Sequence, residues 1–360
     1  MTTMNLKLAI KIILRQHVKR KKFKPAQQYS FMGIQLAPLV KGNEISMKEL
    51  TDKTIAVDAL NWLYQFLAII RQRDGTPLMD GNGNVTSHLS GIFYRSLKLM
   101  ESGIRLVYVF DGPPPEMKRA TTELRHERRA EAARKWTTAL EEGDEREAKK
   151  YAMQSTSVND AMIEEAKKLI SAMGIPVIEA PSEGEALCSL IVANKDAYAA
   201  ATQDYDAFLF GCPRIIRNLA ASKKDVPPEM LLLEETLKGL GITREQLILL
   251  GMLVGTDFNP GGVKGIGPKK ALELVRKHKT LDEMMPGIEW TFGTKPKEIF
   301  DFFMSPPHCD YKIRFDFPDE RRIKEILCEQ HDFSDERVES ALAKYSDAKQ
   351  ENQKSLSKWG

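Results

Sequence analysis

Carboxylates dominate the chemistry open to this sequence. Asp58 closes the run KTIAVD and Asp111 closes RLVYVFD; Glu183 and Glu185 follow IPVIEA, Asp204 and Asp206 follow AYAAAT, and Asp257 lies in GTDFNPGG after the apolar LILLGMLV. Taken singly, an Asp or Glu at such a place serves as a helix cap as readily as a ligand. Taken together they demand a cation. Two unit charges about 4 Å apart cost about 4 kcal/mol at an effective dielectric near 20, so a cluster of bare carboxylates would weaken the fold or take up protons. Donors that are all oxygen, with no convergent His or Cys, favour Mg²⁺ or Mn²⁺ over zinc. Two such ions leave seven carboxylates three negative charges in excess. That balance suits ions which keep waters and bind phosphate, as in two-metal hydrolysis of phosphodiesters, where one ion activates the attacking water and the other steadies the leaving oxygen.

The elements that must gather these acids are legible as a repeating pattern. Each β-rich run is followed by a stretch with helical periodicity, such as ALNWLYQFLAII or SEGEALCSLIVANK, which predicts an α/β fold with a mostly parallel central sheet covered by helices on both faces. In such a sheet the crevice lies beyond the carboxyl ends of the strands, where residues distant in sequence converge. A second signal is KGIGPKKALELV. There Gly265 and Gly267 open a helix, presenting backbone N–H groups to a phosphate, and Lys264, Lys269 and Lys270 add charge. This fits a helix-hairpin-helix that holds a duplex backbone without reading bases.

Composition narrows the alternatives. The 360 residues are 42% hydrophobic and 29% charged, enough for a sizeable core, and no apolar run reaches the roughly 20 residues that span a bilayer. Cys188, Cys212, Cys309 and Cys328 show no metal-binding spacing and read as incidental thiols. Residues 1–31 carry eight basic and no acidic residues, leaving 45 basic against 50 acidic from Met32 onward. The first segment could form a basic amphipathic helix, but Met32-Gly33-Ile34 looks like a second start, which makes residues 1–31 an upstream extension. Residues 116–150 hold few large apolar side chains and predict a helix or helix pair projecting into solvent. The residues alone leave its role open. From about Ser346 the chain is polar enough for a flexible tail.

In order along the chain, MGIQLAPL, IAVDALNWLYQFL, YVFDGPPPEMK, EAPSEGEA, TQDYDAFLFG, GTDFNPGG and GIGPKKA resemble the structure-specific flap endonuclease family, with a PIN-like 5′ nuclease fold. The resemblance implies an N-terminal nuclease region at 32–130, a helical arch at 116–150, an internal nuclease region at 147–258 and a helix-two-turn-helix and C-terminal helical region at 259–345. Asp58, Asp111, Glu183 and Glu185 would hold one Mg²⁺, and Asp204, Asp206 and Asp257 the other, with Mn²⁺ as a substitute. Lys118 and Arg125 on the arch would face the scissile phosphate as electrostatic catalysts. Tyr64, otherwise an ordinary core aromatic, would stack on a base beside the cleaved bond. A K⁺ ion near Gly262, Val263 and Gly265 would help Gly267, Lys269 and Lys270 hold the downstream duplex. The amine of Gly33, exposed on removal of Met32, would lie near the active site.

The tail QKSLSKWG is similar to a sliding-clamp motif through Gln353, Leu356 and Trp359, with Gly360 where a second aromatic belongs. These features imply cleavage of 5′ flaps and 5′-to-3′ exonuclease activity in replication and repair by a monomeric, cytoplasmic, nucleoid-associated protein that binds a clamp and no membrane. Two rivals remain: an RNA-processing nuclease of PIN type, and a clamp-tethered DNA-binding module whose acids are structural.

Overall fold

The computed structural model describes residues 36–221 and 226–356, with side chains described as far as Lys349. The N-terminal extension, Gly33 and Trp359 lie outside the described residues. Among the described residues seven strands form one sheet: β1 (Asn43–Glu44), β2 (Thr54–Asp58), β3 (Arg105–Phe110), β4 (Val177–Glu179), β5 (Ala199–Ala201), β6 (Arg214–Arg217) and β7 (Glu229–Leu232), in the order β1-β7-β6-β5-β2-β3-β4. The pairs from β6 through β5, β2 and β3 to β4 are parallel, as the alternating pattern predicts. An antiparallel edge, β6 to β7 to β1, adds to this.

Alternate residues feed two separate cores. Ala56, Val107, Val109, Ala200 and Ile215 face a cluster with Leu187, Ile191, Phe208 and the buried helix Arg244–Val254. Their neighbours Ile55, Val57, Leu106, Tyr108, Phe110 and Ala201 face Trp62, Phe66, Leu89, Phe93 and Leu169. With both faces covered, the strands read as continuous apolar runs, and polar residues begin only where a strand ends. The central helices therefore start at the same edge of the sheet, and their first turns supply acids.

Residues 116–150 do form a helix pair, Arg119–Glu141 and Glu145–Gln154, the second capped by Asp144. It does not simply project into solvent. The two helices pack on each other, and Thr121, Ala132, Ala139, Ala148 and Ala152 are buried. Small side chains make this inward stripe invisible to a search for large apolar residues. The final helix, Asp335–Leu356, also carries the chain beyond Ser346, where a flexible tail is expected. Its DAKQENQKSL stretch lacks Gly and Pro and is rich in good helix formers.

A loop joins the helices Arg244–Val254 and Pro268–Lys277. Fully buried Asn259 ties it down, accepting from Thr256 N (3.1 Å) and Thr256 Oγ1 (2.7 Å) and donating to Met252 O (2.6 Å). Gly262 is needed in this loop. Its φ is +64°, and a Cβ there would stand 2.3 Å from the Val254 carbonyl.

Candidate metal centre and nucleic-acid interface

Asp58, the last residue of β2, caps the following helix by accepting from Asn61 N at 3.0 Å. Thr202 Oγ1, just beyond β5, donates to its other oxygen at 3.2 Å. Asp111 follows β3 and accepts from Gly184 N at 2.6 Å, the first residue of the helix Gly184–Ala193. A Cβ on Gly184 would fall 2.6 Å from that same oxygen, so only glycine brings the two elements this close. Glu183 sits at the N-cap of that helix and Glu185 in its first turn, where Glu185 accepts from Ala207 N at 2.9 Å. Asp204 accepts from Asn61 Nδ2 at 3.0 Å, and Asp206, buried, opens the short helix Asp206–Leu209. Asp257 lies on the loop between the two hairpin helices.

The arch reaches into this cluster. Lys118 Nζ lies 2.5 Å from Glu183 Oε2 and 3.2 Å from Asp257 Oδ2, and Arg125 Nη2 lies 2.5 Å from Asp257 Oδ1. Thr121 Oγ1 donates to the Asp257 carbonyl at 2.5 Å. Burial opposes the charge on Lys118, but Glu183, Asp257 and Asp111 outweigh it and hold the lysine protonated.

The acids still carry more negative charge than these cations balance. Burial, then Asp111, pushes Asp58 up to about 8. Burial, then Asp257, pushes Asp204 up to about 6, while Arg125 and Arg217 pull it down. Burial also raises Asp111 and Glu183 against the pull of Lys118, and raises Glu185 well above the usual range with help from Asp206, Asp204 and Asp58. Each of the seven expected acids is thus within electrostatic reach of at least one other, and together they form one linked set. Among the described residues, no three or more His, Cys, Asp or Glu side chains stand arranged around a single ion, with Lys118 and Arg125 drawn onto Glu183 and Asp257. The donor chemistry nonetheless fits hard divalent cations: every group is a carboxylate, and its surroundings are short of positive charge.

The remaining expected residues divide. Tyr64 is half-buried on the helix Ala59–Ile69, and the Arg129 guanidinium lies 4.7 Å from its ring centroid, so it is not an ordinary core aromatic. Gly265 and Gly267 lead into the helix Pro268–Lys277, with Gly267 at its N-cap and Lys269 and Lys270 in its first turn. Lys270 Nζ lies 3.4 Å from the Gly265 carbonyl. Gln353 and Leu356 fall on the backbone of the final helix, beyond the described side chains. Sequence reasoning overlooked Asn61, Thr202, Thr121 and Arg129. Asn61 carried the one usable signal, a polar residue three positions after Asp58 in a mostly apolar helix.

A mostly parallel sheet that offers buried carboxylates at one edge, with a charged helix pair reaching into them and a helix-loop-helix alongside, defines a metal-dependent nuclease. Comparisons with known proteins agree. The model of the XPG N-terminal domain matches residues 32–132, and that of the XPG I-region matches residues 174–257. Flap endonuclease 1 of Pyrococcus abyssi is 49% identical over 340 residues, covering 91% of this chain and 98% of that protein. Flap endonuclease 1 of Hyperthermus butylicus is 48% identical, covering 89% and 96%. Among solved structures, flap endonuclease-1 from Methanococcus jannaschii aligns with a TM-score of 0.72 at 39% identity, covering 88% of this chain and 98% of that one. The catalytic core of Rad2 in complex with DNA substrate aligns at 0.65 and 28% identity, covering 86% and 96%. The chain belongs to the flap endonuclease family and is a structure-specific DNA nuclease.

Proposed function

We propose that the chain cuts DNA where a 5′ single-stranded flap meets duplex, leaving a 5′-phosphate, with weaker 5′-to-3′ exonuclease action on nicked duplex. Asp58, Asp111, Glu183 and Glu185 would hold one Mg²⁺, and Asp204, Asp206 and Asp257 a second, with Mn²⁺ able to replace either. Bound there, the ions supply Lewis acidity toward the attacking water and the leaving oxygen. Lys118 and Arg125 release their carboxylates and turn to the scissile phosphate, adding fixed positive charge where negative charge builds up. Tyr64 exchanges Arg129 for a base and fixes the nucleotide beside the cut. The loop before Pro268, with Lys269 and Lys270, grips the downstream duplex, aided by a K⁺ ion near Gly262, Val263 and Gly265. The 116–150 pair forms the arch over the 5′ strand.

The observation that carries this reading is the contact of two arch cations with acids from two different loops, Glu183 and Asp257. Gln353, Leu356 and Trp359 are proposed to bind a sliding clamp, and the chain to act as a nucleoid-associated monomer. No helix among the described residues is long and apolar enough to cross a membrane. The deciding experiment uses a labelled double-flap DNA with Mg²⁺ or with EDTA. A single incision at the junction, seen only with metal and abolished by Asp204→Ala, is expected. Incision in EDTA, or unchanged incision by Asp204→Ala, would refute the proposal.

A further inference from the structure

A line of contacts approaches the acids from the antiparallel edge of the sheet and centres on Arg217. Arg217 ends β6 and stands in register with Glu229 of β7, its Nη1 lying 3.6 Å from Glu229 Oε2. The same Nη1 donates to the Tyr205 hydroxyl at 2.6 Å, and the guanidinium lies 4.8 Å from the Tyr205 ring centroid. Tyr205, itself buried, is the single residue between Asp204 and Asp206. Arg217 Nε is buried, with no hydrogen-bond partner among the described residues. A sheltered guanidinium with an unmatched donor is a poor choice for stability alone, where an apolar side chain of similar volume costs less.

We propose that Arg217 is a positioning residue for Asp204 and Asp206: it fixes the loop between β5 and the helix Asp206–Leu209 by gripping Tyr205 through both its hydroxyl and its ring. Asn61 holds the same loop through its own bonds, donating to Asp204 Oδ2 and accepting from Gln203 N at 3.3 Å. The two cations near Asp204 then differ in kind. Arg125 belongs to the arch and leaves for the phosphate, whereas Arg217 belongs to the sheet and stays. Both carboxylates keep their aim while the arch engages DNA. This inference rests on the reading of Asp204 and Asp206 as ion ligands.

The test is Mn²⁺ titrated into the full chain by calorimetry, without DNA, for the parent protein and for Arg217→Met, Arg217→Lys, Tyr205→Phe and Asp204→Asn. Removing an outer partner of a metal-ligating carboxylate weakens metal binding about 10- to 100-fold. Arg217→Met is expected near the lower end of that range, with Tyr205→Phe weakened in the same direction and Arg217→Lys between parent and Met. Flap-DNA affinity in Ca²⁺ should match the parent for Arg217→Met, Arg217→Lys and Tyr205→Phe. If Asp204→Asn weakens Mn²⁺ binding while Arg217→Met and Tyr205→Phe bind like the parent, Arg217 has no positioning role. If Asp204→Asn itself binds like the parent, the underlying ligand reading fails. Should Arg217→Met not fold, Tyr205→Phe decides the matter, because it removes only one oxygen.

Discussion

Lys118 Nζ stands 3.2 Å from Asp257 Oδ2 and 2.5 Å from Glu183 Oε2, so a single arch lysine spans acids that the proposed function gives to two different ions. On the proposed reading this ammonium would leave the two carboxylates and turn to the scissile phosphate. Lys118→Ala is therefore expected to slow single-turnover cleavage by roughly 100-fold or more, with flap-DNA affinity changed only a few-fold. Arg125→Ala should act in the same direction. Equal losses in affinity and rate would mean that these residues serve binding alone.

Asn61 joins elements that are separate in the chain: its backbone N–H caps Asp58, and its side chain bonds Asp204 and Gln203. Asn61→Ala keeps the cap and loses the side-chain bonds. Mn²⁺ affinity should fall about 10-fold while the far-UV spectrum and melting temperature stay close to the parent. Unchanged Mn²⁺ affinity would show that Asp204 needs no such support.

The metal-free protein should lose stability as pH rises through neutrality. Asp58 is raised from 3.8 to about 8 by burial and then by Asp111. A carboxyl shifted upward stabilises the fold fully below its unfolded value, and that contribution is lost as pH climbs through the folded value. Asp80, lowered to about 2 chiefly by the Asn84 side chain, titrates below this window. In EDTA, the melting temperature should fall between about pH 5 and about pH 8.5, and Asp58→Asn should flatten the fall. Added Mg²⁺ should raise melting more at the alkaline end, since protons no longer compete for the carboxylates. A flat EDTA profile in the parent would contradict the buried, mutually repelling cluster.

Tyr64 offers one ring face to Arg129. Tyr64→Leu should lose about 1 to 3 kcal/mol of substrate interaction, the range for one base on one aromatic, and scatter the cut over neighbouring bonds. Tyr64→Phe should cleave like the parent, since stacking needs the ring alone. Equal defects in both variants would assign the role to the hydroxyl.

Gly262→Ala places a methyl against the Val254 carbonyl at a left-handed φ. The hairpin should be distorted, lowering duplex affinity and making its fall with salt shallower as phosphate contacts are lost, while Mn²⁺ binding at Asp58 and Glu185 is retained. Unaltered duplex binding would separate the hairpin from DNA.

The acids were legible in the sequence because each one interrupts an apolar run where a strand or buried helix ends. The parallel core was equally plain, since β2 and β3 are continuous β-rich runs. What escaped notice had no pattern to show. Strands β1 and β7 have two and four residues, too few for alternation. Thr121 and Thr202 bond a loop backbone and a distant carboxylate, contacts that no local spacing encodes. Arg217 looks like any charged strand end until Tyr205 is folded against it. The arch misled for a related reason: its buried stripe is threonine and alanine, and Lys118, Arg125 and Arg129 find their partners in other segments.

Asp257 and the glycines of the hairpin sit on one short loop that Asn259 pins to the helix beneath it. If the hairpin anchors the duplex and Asp257 serves the cleaving ion as proposed, anchoring point and scissile position are locked to a common rigid frame, like the jaw and blade of a single tool. On the proposed reading, the cut falls at a constant stride from the double-stranded end, whatever the length or sequence of the strand being removed.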